Sequence, residues 1–128
     1  MGALEDRKVK KYKKYWDDRA SHDRIAQEKL RRQALKVSRR LGEILINDFH
    51  AKKVVLFGSI LDKDGFREGS DIDVAVEGLP VELYFAALGR LIMESPFDVD
   101  LKPIEDASVL LKQRILKGKV LYEKRDHS

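Results

Sequence analysis

Along the first third of the chain, apolar residues return every three or four positions. Leu30, Ala34, Val37, Leu41, Ile44 and Leu45 form one stripe on a helix face. The surrounding span, Leu4 to Phe49, has no proline and a single glycine, Gly42, and is rich in Lys, Arg, Glu, Gln, Leu and Ala. These are good helix formers, so the pattern predicts a long helix from about Asp23 to Phe49. Before Ser21 the rhythm loosens. Val9, Tyr12 and Trp16 keep helical spacing, but Ser21-His22-Asp23 has the composition of a helix N-cap. Residues 1–22 therefore read as a separate basic arm or helix, mobile or used for self-association, ahead of one domain over 23–128.

At Lys53 the rhythm changes. Val54-Val55-Leu56-Phe57 is a short apolar run closed by Gly58, the pattern of a strand buried on both faces. Asp71-Ile72-Asp73-Val74-Ala75-Val76 begins by alternating acid and apolar, as a strand does where one end meets a polar site. Pro80 opens a helix with the stripe Tyr84, Leu88, Leu91 and Ile92, and Tyr84 and Phe85 are expected in the core. Asp98-Val99-Asp100-Leu101 alternates again and stops at Pro103. A last helix from Asp106 to Lys117 turns Leu110, Leu111 and Ile115 inward and ends at Gly118, and Val120-Leu121-Tyr122 adds an edge strand. The connection Ile60–Ser70, with Asp62, Asp64, Gly65 and Gly69, reads as an exposed loop. This order of elements implies a small mixed β-sheet covered by helices, including a long N-terminal helix.

Composition narrows the classes. With 128 residues, 43% apolar and 38% charged, the chain suits one well-solvated domain with its own core. Cysteine is absent, which excludes disulfides and thiolate zinc sites, and His22, His50 and His127 lie too far apart for helical metal-ligand spacing. No apolar run reaches membrane-spanning length and no apolar signal core opens the chain, so a cytoplasmic protein without membrane contact is expected. The net charge of +4 is uneven. Cations crowd Arg7–Lys14 and again Arg31, Arg32, Lys36, Arg39 and Arg40, while Asp62 to Asp106 is acidic. Such a distribution suits a polyanionic partner, nucleotide or nucleic acid, or else a solvated helix face.

The candidate chemistry lies in the acidic centre. Asp71 and Asp73 are two apart on a strand, so both carboxylates leave one face. Two like charges at that spacing call for a cation, and hard carboxylate oxygens suit magnesium, which takes its remaining ligands from water and substrate phosphates. If the strand carrying Asp100 lies alongside, a third carboxylate joins, enough for a two-metal clamp on an in-line phosphoryl-type displacement. Asp98 has the same parity and is the alternative third acid. Gly58 lets backbone approach a ligand closely, Ser59 offers a hydroxyl and an N–H to phosphate, and Lys63 and Arg67 carry positive charge in the loop.

Leu56-Phe57-Gly58-Ser59, the following loop, Ser70-Asp71-Ile72-Asp73-Val74-Ala75-Val76 and Val99-Asp100-Leu101 together resemble the minimal nucleotidyltransferase (MNT) family, within the DNA polymerase beta-like nucleotidyltransferase superfamily. The likeness spans roughly Asp23 to Tyr122. It implies an α+β nucleotidyltransferase fold and attack of a hydroxyl on the α-phosphate of a nucleoside triphosphate, with magnesium present and pyrophosphate leaving. On this resemblance Asp71, Asp73 and Asp100 are the catalytic metal ligands, with two magnesium ions expected, and Gly58, Ser59, Ser70, Arg67 and Lys63 are nucleotide contacts. ATP is the expected substrate, and an HEPN-domain toxin carrying an acceptor tyrosine the expected partner. One departure stands out: many family members place an arginine soon after Gly-Ser, where this chain has Ile60-Leu61-Asp62-Lys63. Two other readings follow from the same residues: a nucleotide-binding or steric antitoxin without catalysis, and an RNA-binding accessory protein using the Arg7–Lys14 arm.

Overall fold

The computed structural model describes the backbone of residues 3–124 and the side chains of residues 9–124. One helix, α1 (Ala3–Asn47), precedes strand β1 (Lys53–Phe57) and a 3-10 turn at Ser59–Leu61. Strand β2 (Ile72–Glu77), a second 3-10 turn (Val81–Leu83), helix α2 (Tyr84–Glu94), strand β3 (Val99–Pro103), helix α3 (Val109–Leu116) and strand β4 (Lys119–Glu123) follow among the described residues. The sheet order is β3-β2-β1-β4. β1 runs antiparallel to β2 and β4, and β2 runs parallel to β3. This is the expected α+β architecture: a small mixed sheet with a long N-terminal helix.

Helix α1 continues through Ser21-His22-Asp23 without a break. At 45 residues it is about 67 Å long at the usual rise of a helix. A capping serine ends or starts a helix only when the flanking segment has a better conformation available, and this stretch has neither proline nor glycine to provide one. Residues 9–26 are exposed on every side, including Trp16 and Tyr12, and burial begins at Gln27. From there the stripe identified in the sequence packs onto the sheet. Ala34, Leu41, Ile44 and Leu45 are buried against Val54, Leu56, Ile72, Val74 and Val76. Ser38 is also fully buried in this stripe and donates its hydroxyl to the Ala34 carbonyl at 2.7 Å. Gly42 gives α1 its close approach to β4: a Cβ there would meet the Tyr122 ring at 2.7 Å.

The opposite sheet face is smaller. Val55, Phe57 and Ala75 meet Ile115 of α3, with Leu111, Ile104 and Ala107 alongside. Ser108 caps α3 by accepting from the Leu111 N–H. Helix α2 lies on the α1 side, pinned by the Tyr84 hydroxyl, which donates to the Leu101 carbonyl at 2.7 Å, and ends at Ser95, whose extended backbone suits the residue before Pro96.

Several side chains differ from the periodic reading. Phe85 (81% exposed), Leu110 and Ile92 face outward, because on these short helices the buried positions fall to Ala87, Leu91 and Ile115. The loop after β1 is not exposed throughout. Ile60 and Phe66 are completely buried, and Phe66 meets Phe97 edge to face with ring centroids 5.7 Å apart. Phe66→Ala is expected to cost about 3–5 kcal/mol in urea unfolding, from lost burial plus the cavity left behind. Phe85→Ala should stay within about 0.5 kcal/mol. A mild effect of Phe66→Ala would show that the loop is not anchored through this ring.

Candidate nucleotide and metal site

The carboxylates come together because of strand parity and register. Ile72, Val74 and Val76 point to the α1 side, so Asp71, Asp73 and Ala75 belong to the α3 side. In the parallel ladder Asp73 stands opposite Asp100, and in the antiparallel ladder it stands opposite Phe57. The end of β1 and the starts of β2 and β3 therefore meet at one edge of the sheet. Gly58, next after Phe57, has φ 84° and ψ −154°, a conformation essentially restricted to glycine. A Cβ at this position would collide with Asp73 Oδ2. The Asp73 carboxylate thus lies directly over the bare backbone of the Gly58-Ser59 turn. Gly58→Ala should cost roughly 1–3 kcal/mol from backbone strain alone and should also push the carboxylate aside. A Gly58→Ala protein with unchanged thermal stability would contradict this packing.

Burial raises the Asp73 carboxyl above its ordinary 3.8, and the charges of Asp100 and Asp71 push it further up. Arg114 and Lys102 act in the other direction. Asp98 is not among these influences; its backbone carbonyl accepts from the Ile72 N–H at 2.8 Å, joining the two strand starts. Lys102 Nζ lies 3.5 Å from Asp100 Oδ1, and Arg114 stacks over the Phe57 ring with its guanidinium carbon 5.6 Å from the centroid. Neither cation was singled out in the sequence. Lys102 shares strand parity with Asp100 and was findable on that ground, whereas Arg114 comes from a separate helix and only the packing of α3 reveals it.

The remaining expected contacts are distributed differently. Ser70 Oγ accepts from the Arg67 N–H at 2.9 Å, and the Ser70 N–H donates to the Arg67 carbonyl at 2.9 Å, so Ser70 closes the loop around Gly69. Arg67 donates from Nε to the Asp64 carbonyl at 3.4 Å and borders a depression with Asp23, Gln27 and Leu30 of α1. Lys63 is exposed. Neither Lys63 nor Arg67 pairs with Asp71, Asp73 or Asp100 among the described residues. Arg31 of α1, absent from the sequence reading of the site, donates to the carbonyls of Ile60 (2.8 Å) and Leu61 (3.4 Å). It ties the turn after Gly58-Ser59 to the long helix.

Among the described residues no three acid or imidazole side chains are drawn together into a metal-holding group. The donor chemistry nevertheless fits magnesium: the facing groups are carboxylates, and Asp73 sits in a negative potential that a cation relieves. For the metal-free protein the sign is definite. A raised carboxyl pKa means the folded state favours the protonated form, so this stability is present below 3.8 and lost as pH rises through the folded-state pKa. Asp73→Asn, which cannot ionise, is expected to raise the melting temperature at pH 7 without metal, with the gain shrinking as pH falls toward 3.8. A gap independent of pH would contradict the assignment.

Comparison with known proteins identifies the family of this fold. Residues 39–127 match the family described as Polymerase beta, Nucleotidyltransferase. The chain belongs to that nucleotidyltransferase family. Among solved structures, a toxin–antitoxin with AMP-PNP is similar at 28% identity and TM-score 0.57, covering 68% of this chain and 74% of the other. The toxin–antitoxin MntA-HepT is similar at 25% identity and TM-score 0.53, covering 70% and 73%. A tri-AMPylated Shewanella oneidensis HEPN toxin in complex with MNT antitoxin gives 25% identity and TM-score 0.55, covering 71% and 73%. Two of these similar structures thus pair a minimal nucleotidyltransferase antitoxin with an HEPN toxin, in line with the resemblance read from the motifs. No curated protein matches. No helix among the described residues is long and apolar enough to cross a membrane.

Proposed function

We propose that this chain is a magnesium-dependent adenylyltransferase that moves AMP from ATP to a hydroxyl of a partner protein, and that it is the antitoxin of an HEPN-type toxin. The observation that carries the reading is the Asp73–Asp100 pair beside the Gly58-Ser59 turn. The partner follows from the similar structures, one of which holds an AMPylated HEPN toxin and another AMP-PNP. Asp71, Asp73 and Asp100 would hold magnesium, which when bound neutralises phosphate charge and polarises the α-phosphate.

The chain's own groups have defined tasks. Gly58 and Ser59 would offer backbone N–H and hydroxyl to phosphate oxygens. Asp100, half exposed and opposite Asp73 on the neighbouring strand, would accept the proton of the attacking hydroxyl. The acceptor oxygen forms a bond to the α-phosphorus, the bond from that phosphorus to the bridging oxygen breaks, and pyrophosphate leaves with the electron pair. Arg31 keeps the turn in place from behind.

Incubation with ATP, magnesium and the HEPN partner should add AMP to a partner hydroxyl, read by mass spectrometry. Asp71→Asn should reduce that addition by about 100-fold or more. Labelling that persists in the variant would sink the site assignment. Nucleotide binding without any label would favour a catalytically inactive antitoxin instead.

A further inference from the structure

Arg114 is unused in the reaction just described, yet it overlooks the site. It projects from the last turn of α3 on the sheet face that carries Asp73. Its guanidinium lies over Phe57, the cross-strand partner of Asp73 and the residue immediately before Gly58. No carboxylate lies within ion-pair distance of it among the described residues. Lys102, the other cation on this face, is already engaged with Asp100. Arg114 is therefore a cation stacked on the cross-strand neighbour of Asp73 and paired with no carboxylate among the described residues.

We infer that Arg114 is a specificity-determining residue that grips the β- and γ-phosphates of the bound nucleotide, with the Phe57 ring holding its guanidinium ready beside the Gly58-Ser59 turn. This deepens the proposed function and rests on nucleotide occupying that turn. The chemistry follows from the ligand. A triphosphate brings more negative charge than its α-phosphate alone, and the pyrophosphate that leaves gains charge as the bond breaks. A planar guanidinium can meet two phosphate oxygens at once, which an ammonium cannot. Stacking on an aromatic face restricts the side chain before the ligand arrives and keeps it from closing onto Asp73. The carboxylates are thereby left to a cation while the guanidinium is left to the phosphates. Arg114 would then read phosphate number, not the base.

The test is calorimetry of the full chain with magnesium, comparing AMP-PNP with AMP. Arg114→Ala should weaken AMP-PNP binding by about 10-fold or more, the range of a charge-assisted contact. AMP binding should change by less than about twofold, since the contact is absent from that ligand. Arg114→Lys should recover only part of the loss. Lys112→Ala removes the same charge from the same helix, but beside Lys53 and Glu77 at the far end of the sheet, and should leave both ligands unaffected. Equal losses for AMP and AMP-PNP, or an unchanged AMP-PNP affinity in Arg114→Ala, would overturn the inference while leaving the proposed function intact. A similar loss in Lys112→Ala would overturn it too, by showing a general charge effect. Failure of the unaltered chain to bind either nucleotide would overturn both the inference and the reading it rests on. Melting temperatures of all three variants check that each is folded.

Discussion

Asp73 and Asp100 face each other because β2 and β3 are parallel, and parallel neighbours need a crossover between them. Helix α2 supplies that crossover on the α1 side, which leaves the other face free at the strand starts. β1 runs the opposite way, so its end arrives at the same edge and delivers Gly58 beneath the Asp73 carboxylate. Register thus sets two relations together, acid to acid and acid to turn, while the packing of α3 brings Arg114 to the same end of the sheet. A slip of one residue would turn Asp73 toward the hydrophobic side and carry Val74 out of the core. The apolar residues between the acids therefore hold the chemistry in place as much as they hold the fold.

The arrangement is electrostatically unfavourable by itself. Burial and two neighbouring carboxylates all disfavour charge on Asp73. The exposed Lys102–Asp100 pair offsets little of this, since such contacts contribute modestly in water. Stability comes instead from the α1 side, where Leu41, Leu45, Leu56 and Ile72 are fully buried, each burial worth about 1.5–3 kcal/mol. The fold is well packed on one face and chemically strained on the other. A site of this kind has reason to bind a cation and a polyanion together, since each offsets the other's desolvation and charge.

Much of this was legible in the sequence, for identifiable reasons. The α1 stripe from Leu30 to Leu45, the buried run before Gly58 and the acid–apolar alternation at Asp71–Val76 each follow one local period, and local periods survive into the structure. The motif order exposed the family resemblance because the three strand segments keep their spacing. What escaped was non-local. Phe66 sits among Asp, Gly and Glu neighbours that suggest an open loop, and its partner Phe97 lies far along the chain. Arg31 is one of many cations on α1, and nothing local marks it as the one that reaches Ile60 and Leu61. Arg114 depends on how α3 lies across the sheet. Ser21 reads as a cap by composition, yet the chain around it has no reason to leave the helix. The exposed stretch 9–26, ahead of the family match at residue 39, keeps the helical spacing of Val9, Tyr12 and Trp16 without burying them.

On the proposed function, Asp71, Asp73 and Asp100 would hold a divalent metal tightly only together with a triphosphate. Manganese, a spectroscopic stand-in for magnesium, can be titrated with and without AMP-PNP and its free fraction followed by electron paramagnetic resonance. Weak manganese binding alone is expected, strengthened at least ~10-fold by AMP-PNP, with that gain lost in Asp100→Asn. Manganese binding indifferent to AMP-PNP, or a gain fully retained in Asp100→Asn, would contradict it.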